Sequence, residues 1–157
     1  MKKMTNSTTQ SIHASMIAVF GCGVLFIGGS NTGKSELCLS LLDRGHQLIS
    51  DDMVRLENRD TVLWGLLPNH ATRQLAIRDI GLIDVGSHFG KKSLLTEHRI
   101  HVVIQLIKSA PQIDPTQIKP KQYHAIGCMV PQFSLSCSQN RPLALLVETL
   151  AKVHFAS

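Results

Sequence analysis

The chain is poor in aromatic side chains: 157 residues carry one Trp, one Tyr and five Phe. Its core must therefore be packed from aliphatic side chains. The shortage also removes any platform on which bases could stack. Lys and Arg outnumber Asp and Glu by 16 to 11, but they are scattered and form no basic stripe interleaved with aromatics. A nucleic-acid partner is not expected; a polyanionic ligand suits the charge. The cysteines at 22, 38, 128 and 137 form no C-x-x-C pair, so metal-finger spacing is absent. Cys22 and Cys38 lie in apolar stretches and read as small core residues in a reducing compartment. Long apolar runs are missing too. Residues 16–27, preceded by Lys2 and Lys3, mimic a secretory leader but are too short to span a bilayer. The reading is a cytoplasmic protein without a membrane partner. Repeats are absent, and 43% hydrophobic with 17% charged residues describes an ordinary globular chain. One domain over 1–157 is expected, with a disordered polar tail over 1–11.

What is present is a phosphate-binding loop. Residues 28–35 read Gly28-Gly29-Ser30-Asn31-Thr32-Gly33-Lys34-Ser35, which is G-x-x-x-x-G-K-[ST]. Backbone N–H groups of such a loop turn inward and cradle phosphate oxygens. Lys34 places a cation on the β/γ-phosphates, and the Ser35 hydroxyl is a Mg²⁺ ligand. Gly28 and Gly33 stand where a Cβ would obstruct the curl or the phosphates.

The flanks agree with this assignment. Residues 12–19 and 24–27 read as a hairpin around Phe20-Gly21-Cys22-Gly23. A helix is expected over 33–44, apolar at Leu37, Leu41 and Leu42 and stopped by Gly45. Strands are expected at 47–50, 53–56, 61–66, 75–78, 81–85 and 100–107. A loop or short helix fits 86–95. Residues 109–123, with Pro111, Pro115 and Pro120, read as a mobile loop. Strands at 126–130 and 133–137 are expected to be separated by Pro131, and a last helix over 143–155 follows Pro142. Two convincing helices are too few for a doubly wound sheet. The fold class is therefore α/β, with a mixed sheet built from antiparallel hairpins and few helices.

The second chemical signal is Leu48-Ile49-Ser50-Asp51-Asp52. Two acids in one strand would face opposite ways, so both serve one site only if they lie just past its end. One then holds Mg²⁺ and the other takes a proton from an attacking hydroxyl. A hairpin centred on Gly21–Cys22 pairs His13 with Ser30 beside the loop, where a histidine could orient a carboxylate or touch a phosphate. Arg78, ending a short strand, could stabilise the equatorial oxygens of a transferring phosphoryl group. Glu97, His98 and His101 hint at a metal site, but their spacing matches no known pattern and a solvated loop is the simpler reading. No Asn-Lys-x-Asp element specifies guanine.

These residues resemble the catalytic domain of HPr kinase/phosphorylase. The resemblance is carried by His13, Phe20-Gly21-x-Gly23-Val24-Leu25, the phosphate loop, Ser35-Glu36, and Arg44-Gly45-His46-x-Leu48-Ile49-x-Asp51-Asp52. Ile77-Arg78-x-x-Gly81-Leu82-Ile83-Asp84-Val85 adds a second match, and Arg141-x-Leu143-Ala144 with Glu148 a third. It implies a P-loop kinase fold of the HPr kinase and phosphoenolpyruvate carboxykinase type, ATP with Mg²⁺, the phosphocarrier HPr or a similar protein as acceptor, and a homo-oligomer, usually a hexamer. It places His13, Lys34, Asp51, Asp52 and Arg78 in the catalytic set, with Ser35 and Asp51 on the metal and Asp52 as the group that takes the seryl proton and returns it in phosphorolysis. The chain departs from the family pattern at Ala76, where a metal-binding glutamate is usual, and at Asp79 in place of glycine. Asp79 or Asp84 would have to compensate. No arginine occurs between Arg99 and Arg141, leaving lysines to replace one that the family carries there. A diverged member is implied. Its alternatives are a nucleotide-binding regulator that has lost transfer chemistry, or a kinase for another substrate.

Overall fold

Residues 9–109, 113–138 and 140–155 are described by a computed structural model. In chain order the elements are β1 (Thr9–Ile12), β2 (Ser15–Val19), β3 (Cys22–Ile27), α1 (Lys34–Asp43), β4 (Gln47–Ser50), β5 (Val54–Arg59), β6 (Val62–Leu66), β7 (Gln74–Ile77), β8 (Gly81–Asp84), α2 (Val85–Phe89), β9 (Glu97–Arg99), β10 (Val102–Ile107), β11 (Lys121–Ala125), β12 (Cys128–Ser136) and α3 (Leu143–Phe155). The central sheet has the order β11-β12-β10-β3-β2-β4. β3, β10 and β12 are parallel neighbours, whereas β2 is antiparallel to both β3 and β4. The expected mixed sheet with few helices is observed.

Alternation along the strands divides the core in two. Ile17, Val24, Phe26, Val102 and Ile104 face α1 and α3 through Leu37, Leu41 and Val147. Met16, Ala18, Leu25 and Val103 face the other way, onto Val54, Leu56 and Leu63 of a four-stranded antiparallel sheet, β1-β5-β6-β9. Phe26 is the one buried aromatic side chain among the described residues, as the composition requires. Gly23 sits where the two sheets meet: a Cβ there would lie 1.8 Å from the Arg99 carbonyl oxygen.

Several expectations are corrected. Thr9–Ser11, expected in the disordered tail, pair with β5; residues 1–8 of that tail lie outside the described residues. The single strand expected over 12–19 is interrupted at His13-Ala14, so that β1 and β2 join different sheets. The hairpin turn is Phe20-Gly21, with φ of 52° and 77°, and Val19 pairs with Cys22. The ladder begins at Ser15–Phe26, and His13 does not pair with Ser30. Residues 109–123 are not all loop: a 3₁₀ turn covers Pro115–Gln117 and β11 begins at Lys121, while 110–112 are outside the described residues. Pro131 does not break β12. It pairs with Gln122 of β11, and the ladder to β10 begins only at Gln132, so its missing N–H removes no bond to β10. β9, not foreseen, pairs with β6.

Candidate active site

Because β2 is antiparallel to both its neighbours, β3 and β4 run the same way, and so do β10 and β12. Their carboxyl ends share one edge of the sheet, where open α/β sheets form their ligand crevices. The 28–33 loop leaves β3 there. Asp51 and Asp52 follow the end of β4 at Ser50. β2, between them, runs in the opposite direction and brings its first residue, Ser15, to that edge. A cleft of ≈ 290 Å³ results, lined by the loop, Ser15, His13, both aspartates and, from the β7–β8 hairpin, Ala76 and Arg78.

The loop curls as its sequence implies. Gly28 has φ 151°, and a Cβ on it would come within 2.7 Å of the Leu106 carbonyl oxygen. Asn31 (φ 64°) and Gly33 (φ 88°) complete the turn. Gly33 cannot cap α1 with a side chain, so the first-turn amides are left for an anion. Thr32 Oγ1 donates to the Gly29 carbonyl at 2.9 Å and closes the curl. Lys34 is buried, and its Nζ donates to the Gly28 and Gly29 carbonyls at 3.0 Å each, which fixes a cation against the loop.

The aspartates divide in environment. Asp51 turns to the loop: Ser35 Oγ donates to its Oδ2 at 2.8 Å and Ser15 Oγ to its Oδ1 at 2.5 Å. Asp52, with φ 74°, turns outward and lies 3.3 Å from His13 Nδ1, both side chains being mostly exposed. A bulge permits this. Met16 pairs with Ser50 but Ile17 pairs with Leu48, leaving Ile49 as the extra residue in β4. Ser35 and Asp51 form an all-oxygen pair of the kind a hard divalent cation takes. Neither suggested substitute for the missing carboxylate at Ala76 lines the cleft. Asp84 caps α2 by accepting from Ser87 N–H at 2.9 Å and Ser87 Oγ at 2.6 Å, and Asp79 sits in the β7–β8 turn with φ 69°.

Every residue singled out around the loop and the aspartate couple thus comes to one place, with Gly28 and Gly29 contributing through their carbonyls. Glu97, His98 and His101 do not assemble a metal site; among the described residues no group of three such side chains could hold an ion. Glu97 is held by Arg59. His101 Nδ1 accepts from Gly23 N–H at 2.9 Å, and burial pushes its pKa down. Two features escaped the sequence reading. Ser15 was one, although a serine entering an otherwise apolar strand is a signal. The other is the reason for Arg44-Gly45-His46: Arg44 Nη2 donates to Glu148 Oε1 at 2.5 Å and His46 Nε2 bonds Oε2 at 2.6 Å, tying α1 and β4 to α3. The bond from Arg44, helped by that from His46, holds the Glu148 pKa at about 2.

Comparison with known families decides the lineage. The HPr Serine kinase C-terminal domain matches residues 3–157. The chain belongs to this family. The HPr kinase/phosphorylase of Bacillus pumilus (strain SAFR-032) is 35% identical over 147 residues, 91% of this chain and 47% of its own length. That of Chloroherpeton thalassium (strain ATCC 35110 / GB-78) is 31% identical over 145 residues, 90% of this chain and 43% of its own. The chain therefore spans less than half the length of these curated relatives. Among solved structures, the Hpr(Ser) kinase/phosphatase from Coxiella burnetii superposes with a TM-score of 0.85 at 37% identity, covering 92% of this chain and 90% of that one. The mixed α/β fold is that of the HPr kinases. No described helix is long and apolar enough to cross a membrane.

Proposed function

We propose that this chain is the catalytic unit of an ATP- and Mg²⁺-dependent protein-serine kinase acting on HPr or a related phosphocarrier protein, in the cytoplasm and as a homo-oligomer. The observation that carries the reading is the Ser35–Asp51 hydrogen bond of 2.8 Å, which joins the phosphate loop to the acidic couple. The loop amides and Lys34 bind and orient the β- and γ-phosphates, and Arg78, which makes no ion pair among the described residues, lines the same cleft. Ser35 and Asp51 would hold Mg²⁺, which supplies neutralisation of phosphate charge when bound. The acceptor hydroxyl attacks the γ-phosphorus. A new O–P bond forms, the bond to the β–γ bridging oxygen breaks, and ADP leaves. The seryl proton passes to Asp52, beside His13. In the reverse direction inorganic phosphate would attack the phosphoserine phosphorus, forming the P–O–P bond of pyrophosphate as the seryl O–P bond breaks, and Asp52 would return the proton to the seryl oxygen.

The test is transfer of label from [γ-³²P]ATP to purified HPr across a range of Mg²⁺ concentrations, with Lys34→Ala as control. Transfer that Lys34→Ala abolishes supports the reading. Tight nucleotide binding by calorimetry with no transfer to any protein would replace it with a nucleotide-sensing regulator. Label appearing on another protein but not on HPr would retain the kinase and overturn the acceptor.

A further inference from the structure

We infer that Ser15 is a positioning residue for Asp51, holding its carboxylate in the orientation in which it and Ser35 offer oxygens to a divalent cation; this rests on the kinase reading above. Ser15 has no exposed surface, and the rest of β2 is Met16, Ile17, Ala18 and Val19, all buried. A hydroxyl at such a place is unfavourable unless it is hydrogen-bonded, and alanine would satisfy the packing. Its hydroxyl, which also meets the buried Cys38 thiol, donates to Asp51 Oδ1, while Oδ2 takes the bond from Ser35. Two hydroxyls from two different elements therefore fix one carboxylate at both oxygens, and rotation about its last side-chain torsion would break both bonds.

Topology explains why position 15 has this task. β2 lies between β3, which delivers the phosphate loop, and β4, which delivers the aspartates. Its first residue therefore lies at the sheet edge between the two. The bulge at Ile49 brings Ser50 opposite Met16, so that Asp51 follows directly beside Ser15. The Asp52 amide also lies 3.5 Å from Ser15 Oγ, which puts this hydroxyl at the branch between the inward and the outward carboxylate. Asp52 has no comparable hold: among the described residues its carboxylate is paired with the exposed His13 alone. Ala76, which also lines the cleft, offers no oxygen, so the grip on a cation leans on Asp51 and its orientation matters correspondingly more.

The experiment compares the unaltered chain with Ser15→Ala, Ser15→Cys and Ser15→Thr. Cysteine keeps the shape in the buried site but replaces the O–H with a weak S–H donor, and because it would adjoin the Cys38 thiol a phosphine reductant is present throughout; threonine keeps the hydroxyl. Mn²⁺ affinity in the presence of ATP is read by electron paramagnetic resonance, and ATP binding in EDTA by calorimetry. The Ala and Cys variants are expected to lose about 10–100-fold in Mn²⁺ affinity, with metal-free ATP binding unchanged within about twofold and threonine restoring most of the loss. Equal Mn²⁺ affinity in the unaltered chain and Ser15→Cys overturns the inference. So does an equal loss of Mn²⁺ and metal-free ATP binding, which marks a merely structural serine. Failure of the unaltered chain to bind ATP at all overturns the kinase reading, and this inference with it.

Discussion

Glu148→Gln should cost the fold about 1.5–2 kcal/mol at neutral pH, and most of the cost should disappear in acid. The Glu148 carboxyl is held at about 2, against 4.5 for an ordinary glutamate, chiefly by its bond from Arg44 and then by that from His46. Each unit of depression corresponds to about 1.4 kcal/mol in favour of the folded state, but Arg44, the leading partner, is 44% exposed, so solvent screens the pair and about half of the full value remains. The sign follows from a depressed pKa. The stabilisation is complete above about pH 4.5, where the unfolded chain is also ionised, and it falls away as pH drops from there towards 2. Glutamine keeps the shape but gives Arg44 and His46 a neutral partner. Urea unfolding at a series of pH values between 7 and 2.5 measures both chains. At pH 7 the difference should be about 1.5–2 kcal/mol, or a melting shift of about 3–8 °C for a chain of this size. Near pH 2.5 the two curves should approach each other. A gap that stays constant with pH would show that shape, not the ionised carboxylate, is what ties α3 to the Arg44-Gly45-His46 turn.

Gly23→Ala should destabilise by more than about 3 kcal/mol or prevent folding, because the obstacle at 1.8 Å is backbone; thermal denaturation checks it. Gly21→Ala meets open space and should cost only about 1 kcal/mol for its positive φ. Asp52→Asn should lower phosphoryl transfer by about 10²–10⁴-fold while leaving ATP affinity intact, as steady-state rates and calorimetry on the same preparation will show. Ala76→Glu adds a carboxylate to the lining of the cleft and should lower the Mg²⁺ concentration for half-maximal ATP binding by about tenfold. An unchanged Mg²⁺ requirement would show that the β7–β8 hairpin does not contribute to the metal side.

Readings that depended on neighbours in the chain were legible. The strand at 24–27, the loop, the helix and the Asp51-Asp52 pair each carry their signal within a few residues: apolar run, glycine curl, helical spacing, acids after a strand. The reading that the acids lie just past the strand's end is what the structure shows. Readings that depended on partners far along the chain failed or were missed. The hairpin register was misplaced because Phe20 takes the positive φ that glycine usually supplies, moving the turn onto Phe20-Gly21. β1 and β9 are short and polar, and only the strands beside them, β5 and β6, make them strands. Pro131 reads as a breaker locally, yet β12 passes through it because β10 pairs only from the next residue onward.

The phosphate-binding nest is a property of eight consecutive residues, since backbone torsions set by glycine and a lysine close by build it without outside help. Which aspartate faces inward is not a local property. Ser15 and Ser35 reach Asp51 across 36 and 16 positions of chain, and a bulge between two strands brings them together. Sequence supplied the chemical groups, and tertiary structure chose their pairing, because a side chain's hydrogen-bond partners depend on which elements the sheet order makes neighbours.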